Sequence, residues 1–149
     1  DSHKIKYMNR LETFHFIIIE DCKLDAFIGE KILANFQSVC ESLEVFLDPK
    51  EALETILKKE ISAHRTIVFL DIQMPLMNGF EFIEAFELRA PQAMQDSFVI
   101  NMLSSSIDER DIIRAKSYRS VNMFLNKPLR KEMVSHMLDD LTGAGDKGD

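Results

Sequence analysis

Apolar residues occur along this chain in short unbroken runs, each followed by a longer stretch in which they recur every three or four positions. Phe16-Ile17-Ile18-Ile19 closes a first run from Phe14 and stops on the acidic pair Glu20-Asp21. A run of this length and β-branched content predicts a strand buried on both faces. Leu24, Phe27, Ile28, Ile32, Leu33 and Phe36 then follow at helical spacing, with Lys23, Glu30 and Lys31 off that stripe. They predict a helix with an apolar face. A second short strand is expected over Leu43 to Leu47, and Asp48-Pro49-Lys50-Glu51 opens a second helix, with Asp48 as N-cap and Leu53, Ile56 and Leu57 turned inward. Thr66 to Leu70 forms the third strand, ending on Asp71. Asn78 and Glu81 have capping-box spacing for a third helix, with Phe82, Ile83 and Phe86 inside and Pro91 at its end.

Phe98 to Leu103 is a fourth strand, in which Asn101 reads as a hydrogen-bonded structural residue. Ser106 and Glu109 suggest a capping box for a fourth helix over 107–117, which leaves Ser104 free at the strand end. Asn122 to Asn126 is the fifth strand, broken by Lys127-Pro128, and a fifth helix over 130–141 buries Met133, Val134, Met137, Leu138 and Leu141. Residues 1–12 and 143–149 lack periodicity and read as a flexible arm and tail around one unit at 13–142.

Strands alternating with helices predict an α/β fold: a doubly wound, five-stranded parallel sheet with helices on both faces. Its 149 residues, 46% of them hydrophobic, suffice for one domain with a sizeable core. The net charge of -7 argues against a phosphate-binding, nucleic-acid surface. Cys22 and Cys40 have neither disulfide-framework nor zinc spacing and are expected to be small, semi-buried residues of a reducing compartment. No apolar run approaches a membrane span and the N-terminal stretch is polar, so no membrane association and a cytoplasmic location are expected.

Ligands of such sheets bind beyond the strands' C-terminal ends. There the sequence places Glu20-Asp21, Asp71, Ser104 and Lys127. At about 4 Å and an effective dielectric of about 20, each close carboxylate pair costs on the order of 4 kcal/mol. Either protons or a hard cation such as magnesium must offset that repulsion. A carboxylate nucleophile beside a cation and a lysine suits phosphoryl acceptance. The turn Glu20-Asp21-Cys22-Lys23 carries no phosphate-binding or dinucleotide fingerprint.

These residues resemble the receiver domain of two-component response regulators, of the single-domain, chemotaxis-receiver-like kind. The resemblance spans about 14–141 and rests on Glu20-Asp21, on Leu70-Asp71-Ile72-Gln73-Met74-Pro75-Leu76-Met77-Asn78-Gly79, on Met102-Leu103-Ser104-Ser105 and on Phe124-Leu125-Asn126-Lys127-Pro128. It implies a flavodoxin-like strand order 2-1-3-4-5 and a stand-alone receiver or the receiver portion of a longer protein. Asp71 would be the phosphoacceptor, loaded by a sensor histidine kinase or phosphotransfer protein. Asp21, Asp71 and the Gln73 backbone carbonyl would hold Mg2+ (or Mn2+), with Glu20 acting through water. Lys127 would pair with the phosphoryl oxygens, in a cis Lys127-Pro128 peptide, while Ser104 and Phe124 take the hydroxyl and aromatic switch positions. The implied protein is a signalling phosphoprotein rather than an enzyme, assisting only its own phosphorylation and dephosphorylation. It would signal to a downstream protein through the fourth helix, fifth strand and fifth helix, with no nucleic acid.

Three positions depart from the commoner family choices. Glu20 stands for Asp and reaches one methylene further, Ser104 lacks the methyl of Thr, and Phe124 lacks a hydroxyl. With no polar tip to hydrate, Phe124 is expected to favour an inward pose. A phosphorylation-independent interaction module is the alternative, but its expected signature, loss of the acceptor, lysine or acidic pair, is missing here. A magnesium-dependent aspartyl phosphatase would want Asp-x-Asp after strand one, which Glu20-Asp21-Cys22 does not supply.

Overall fold

A computed structural model describes residues 12–143. The expected arm and tail, apart from Glu12 and Gly143, lie outside the described residues. In chain order the elements are β1 (Phe14–Ile19), α1 (Lys23–Leu33), a 3-10 segment (Ala34–Val39), β2 (Cys40–Phe46), α2 (Pro49–Leu57), β3 (Thr66–Asp71), α3 (Gly79–Arg89), α4 (Gln92–Ser97), β4 (Phe98–Ser104), α5 (Glu109–Lys116), β5 (Val121–Asn126) and α6 (Lys131–Thr142). The fourth and fifth helices expected from sequence are therefore α5 and α6. All strand pairings are parallel, in the order β2-β1-β3-β4-β5.

The apolar runs are buried because alternate residues of each strand enter opposite layers. Ile17, Ile19, Val68 and Leu70 pack with Leu53, Ile56, Phe82, Ile83 and Phe86 on the face covered by α2 and α3. Phe16, Ile18, Ile67 and Phe69 pack with Leu33, Val134, Met137 and Leu138 on the face covered by α1 and α6. From β1 the chain crosses outward to β2 and then returns to β3 on β1's other side. The ends of β1 and β3 thus flank the point where the order reverses, which leaves a crevice at their C-terminal edge.

Several local expectations are corrected. On α1, Leu24 and Phe27 are exposed while Ala26, Gly29 and Leu33 are buried. A small-residue face lets this helix approach the sheet, and a Cβ built on Gly29 would lie 3.0 Å from Ile18 Cδ1. Pro91 ends α3 as expected but also stands as N-cap of the additional short helix α4. Gln95 ties that helix down by donating from Nε2 to the carbonyls of Glu87 (3.0 Å) and Ala90 (2.9 Å). The Ser106/Glu109 box does not form: Asp108 is the N-cap of α5 and accepts from the Arg110 N–H at 2.9 Å. A carboxylate adds favourable charge at a helix N-terminus, and the Ser106 N–H already donates to Ser104 Oγ. Cys22 is exposed rather than semi-buried, whereas Cys40 is half-buried.

Other expectations hold. Asp48 caps α2, and Asn78 and Glu81 form both halves of a capping box. Asn101 is fully buried, donates to the Val68 carbonyl (3.3 Å) and accepts from Asn122 Nδ2 (3.0 Å), as a structural residue should. At the junction with the undescribed arm, Glu12 forms a two-pronged ion pair with Arg65, both contacts 2.8 Å.

Candidate functional site

Each acid of the crevice is placed by a strand that can run no further. Glu20 directly follows β1; its N–H donates to the Phe46 carbonyl at 3.0 Å, and its carboxylate accepts from the Cys22 N–H at 3.1 Å. Asp71 is the last residue of β3 and accepts from the Gln73 N–H at 3.3 Å. Glu20 and Asp71 are buried and Asp21 is exposed, each offering an oxygen within 4.8 Å of the other two. Among the described residues this is the one group of three such side chains close enough to share a metal ion.

Lys127 enters from the far side of the sheet's reversal point. Its backbone N–H donates to the Ser104 carbonyl at 2.7 Å, and its peptide bond to Pro128 is cis, as the resemblance implied. The ammonium lies 2.6 Å from Glu20 Oε1, 3.0 Å from Asp25 Oδ2 and 3.2 Å from Asp71 Oδ1. Asp25, in the first turn of α1, was not singled out by sequence reasoning. It follows Asp21 by four residues, about one helical turn, a spacing that could have raised it as a candidate.

Burial is the main reason both inner acids hold protons more tightly than usual. Glu20 is pushed up to about 7, because desolvation and the neighbouring Asp71 together outweigh its bonds to Lys127 and the Cys22 N–H. Asp71 is raised by the same desolvation, partly countered by its contacts with Glu20, Lys127 and the Gln73 N–H. Burial opposes the Lys127 charge, yet its hydrogen bonds to Glu20 and Asp25 and the Asp71 charge prevail, and its affinity for the proton is raised.

The Glu20 shift has a measurable consequence. A carboxyl that titrates near 7 when folded, against 4.5 when unfolded, binds more protons in the folded state between those values. Its contribution to stability is therefore greatest at low pH and is lost as pH rises toward and past 7. Without divalent cations, the urea midpoint should fall between pH 5.5 and pH 8; a flat profile would mean Glu20 is already ionised at the lower pH.

The oxygen-only donor set fits a hard divalent ion such as magnesium. Ser104 is buried but not free: its hydroxyl donates to the Ser106 carbonyl (2.8 Å) and accepts from the Ser106 N–H (3.2 Å). This reciprocal turn occupies the Ser106 N–H, which Glu109 would need for its half of a capping box. Phe124 pairs in register with Met102 and is half-buried, packing against the core cluster that includes Met102 and Ala115 rather than standing free in solvent. Gly79 closes the loop after Asp71, donating its N–H to the Ile72 carbonyl at 2.9 Å.

Residues 16–139 match the family model of the response regulator receiver domain. The fold is similar to that of a response regulator receiver protein from Dyadobacter fermentans, at 29% identity and a TM-score of 0.77, over 86% of this chain and 97% of that one. It is also similar to a two-component response regulator from Cytophaga hutchinsonii, at 23% identity, a TM-score of 0.77, and 89% and 98% coverage. A chemotaxis protein from Vibrio cholerae aligns at 21% identity and a TM-score of 0.66, over 87% of this chain and 98% of that one. Comparison with curated proteins gives no match. No helix among the described residues is long and apolar enough to cross a membrane.

Proposed function

Because this chain belongs to the response regulator receiver family, we propose that residues 13–142 form a phosphorylation switch in which Asp71 accepts a phosphoryl group from the phosphohistidine of a sensor kinase or phosphotransfer protein. One observation carries the reading: a lysine ammonium seated among buried carboxylates, 3.2 Å from Asp71 and 2.6 Å from Glu20, with Asp21 alongside. The Asp71 carboxylate oxygen attacks phosphorus, the phosphorus–nitrogen bond of the donor breaks, and its electron pair stays on the histidine nitrogen. Lys127 offsets charge on the phosphoryl oxygens. Asp21, Asp71 and the Gln73 backbone carbonyl would hold Mg2+ or Mn2+, with Glu20 acting through water. The ion supplies positive charge to the same oxygens.

Loading adds charge and acceptor oxygens at the end of β3. Ser104 would exchange its Ser106 bonds for one to the phosphoryl group, and Phe124 would follow into the vacated space. That biases the surface of α5, β5 and α6 toward a different protein partner. The chain serves as a phosphoacceptor rather than a turnover catalyst, and a cytoplasmic location is part of the same reading.

Incubation with magnesium and a small phosphodonor should give a stable mass gain of one phosphoryl group, prevented when the metal is chelated beforehand and absent in Asp71→Asn. An equal gain in Asp71→Asn would refute the acceptor assignment. No gain in the wild-type chain would leave a phosphorylation-independent module, and rapid multi-turnover release of phosphate would indicate a phosphatase.

A further inference from the structure

Resting on the phosphoacceptor reading, we propose that Asp25 is a positioning residue that restrains the Lys127 ammonium and thereby slows the loading of Asp71. An ammonium has three donors. Each has a carboxylate within reach: Glu20 Oε1 at 2.6 Å, Asp25 Oδ2 at 3.0 Å and Asp71 Oδ1 at 3.2 Å. A phosphoryl group arriving on Asp71 brings oxygens that also need a donor from Lys127. To follow those oxygens the ammonium must shift, which stretches one of its other contacts.

Exposure decides which one. The Glu20 side chain is 3% exposed, so stripping it would leave a buried carboxylate without its partner, while the Asp71 contact passes to the phosphoryl oxygens because a loaded Asp71 is an acyl phosphate rather than a carboxylate. Asp25 is 38% exposed and can turn to water at little cost. Asp25 also has somewhere to turn, since it borders, with Lys127, Ser105 and Pro128, a cavity of about 250 Å3 beside α1. A favourable helix N-terminus accounts for an acid in the first turn of α1. It does not account for that acid's 3.0 Å contact with the lysine.

The exchange breaks Lys127 Nζ–H···Oδ2 of Asp25 and forms Lys127 Nζ–H···O of the phosphoryl group. No proton changes hands. Asp25 touches neither donor nor phosphorus and acts only through Lys127.

The test compares wild type, Asp25→Asn, Asp25→Glu and Glu30→Gln with magnesium and a small phosphodonor, following the mass gain over time. Asp25→Asn should raise the limiting loading rate about threefold, the scale of one partly exposed ion pair, without moving the half-saturating donor concentration. Asp25→Glu should restore the wild-type rate. Glu30→Gln, the same charge change at an exposed position of α1, should leave the rate as it is. An unchanged limiting rate in Asp25→Asn overturns the proposal while wild-type loading leaves the phosphoacceptor reading intact. Equal acceleration by Glu30→Gln overturns it in favour of general charge, and no loading of the wild type overturns both. Independently of donor and metal, urea unfolding of Asp25→Asn, Lys127→Met and the double variant should be non-additive; additivity would likewise overturn the contact.

Discussion

Lys127→Met is expected to cost about 3 to 5 kcal/mol of folding stability at pH 8 without divalent cations, the scale of a broken buried ion pair. Methionine keeps most of the apolar stem, so the change removes chiefly the charge. The lysine side chain is only 14% exposed and supplies the positive partner of Glu20 and Asp71, both buried at the ends of β1 and β3. Without it the two carboxylates face each other in a crevice from which water is largely excluded. The protein's remaining response is to take up protons. Glu20 already titrates near 7 with the lysine in place, so at pH 5.5 it is neutral in both proteins and the penalty should shrink to roughly half. Urea unfolding at the two pH values measures this difference directly. An equal loss at both would assign the effect to packing of the stem instead of to charge. Magnesium should stabilise the variant more than the wild type, because a ligand of the native state stabilises according to its affinity. In the variant a cation has no resident ammonium to compete with.

The parts of this site that could be read from sequence share a physical origin. Buried parallel strands must be apolar throughout, so a carboxylate or lysine at the end of such a run marks the sheet's edge. Glu20, Asp71 and Lys127 were visible for that reason, and one topological rule then placed them together. Asp25 was not visible, because an acid in the first turn of a helix already has a local explanation, and only the tertiary structure reveals its contact with Lys127. The buried face of α1 departs from its apolar periodicity on similar grounds. Periodicity weights large apolar residues, whereas close packing here uses Ala26 and Gly29 and leaves Leu24 and Phe27 outside. The start of α5 involved a competition between two caps, Ser106 and Asp108. Asp108 accepts from the Arg110 N–H, while the Ser106 N–H is held by Ser104 at the end of β4. Propensities within a window cannot register a competitor of that kind.

Gly79→Ala should be strongly destabilising for so small a substitution. A Cβ at this position would lie 2.8 Å from the Asp71 carbonyl oxygen, 3.0 Å from Ile72 Cα and 3.0 Å from Met102 Cε. Two of these atoms are backbone, belonging to the proposed acceptor residue and its neighbour. Relief therefore requires moving either the start of α3 or the end of β3. Pulling α3 away weakens the Gly79 N–H bond to the Ile72 carbonyl and loosens Phe80, Phe82 and Ile83 in the core. Pushing β3 displaces Asp71 from Lys127. Overpacking of this severity costs about 3 kcal/mol. Gly29→Ala is the matched comparison, since its added Cβ meets no backbone, only the Ile18 side chain, with Cδ1 nearest at 3.0 Å. There the gain in helix propensity, about 1 kcal/mol, offsets a small shift of Ile18. Urea unfolding of the two variants should thus differ by several kcal/mol for the same added methyl group. Gly79→Ala should also load phosphoryl groups more slowly at temperatures where it remains folded, whereas Gly29→Ala should load normally. Equal stability of the two would show that the β3–α3 loop yields freely, and that Gly79 is not what holds Asp71 in place.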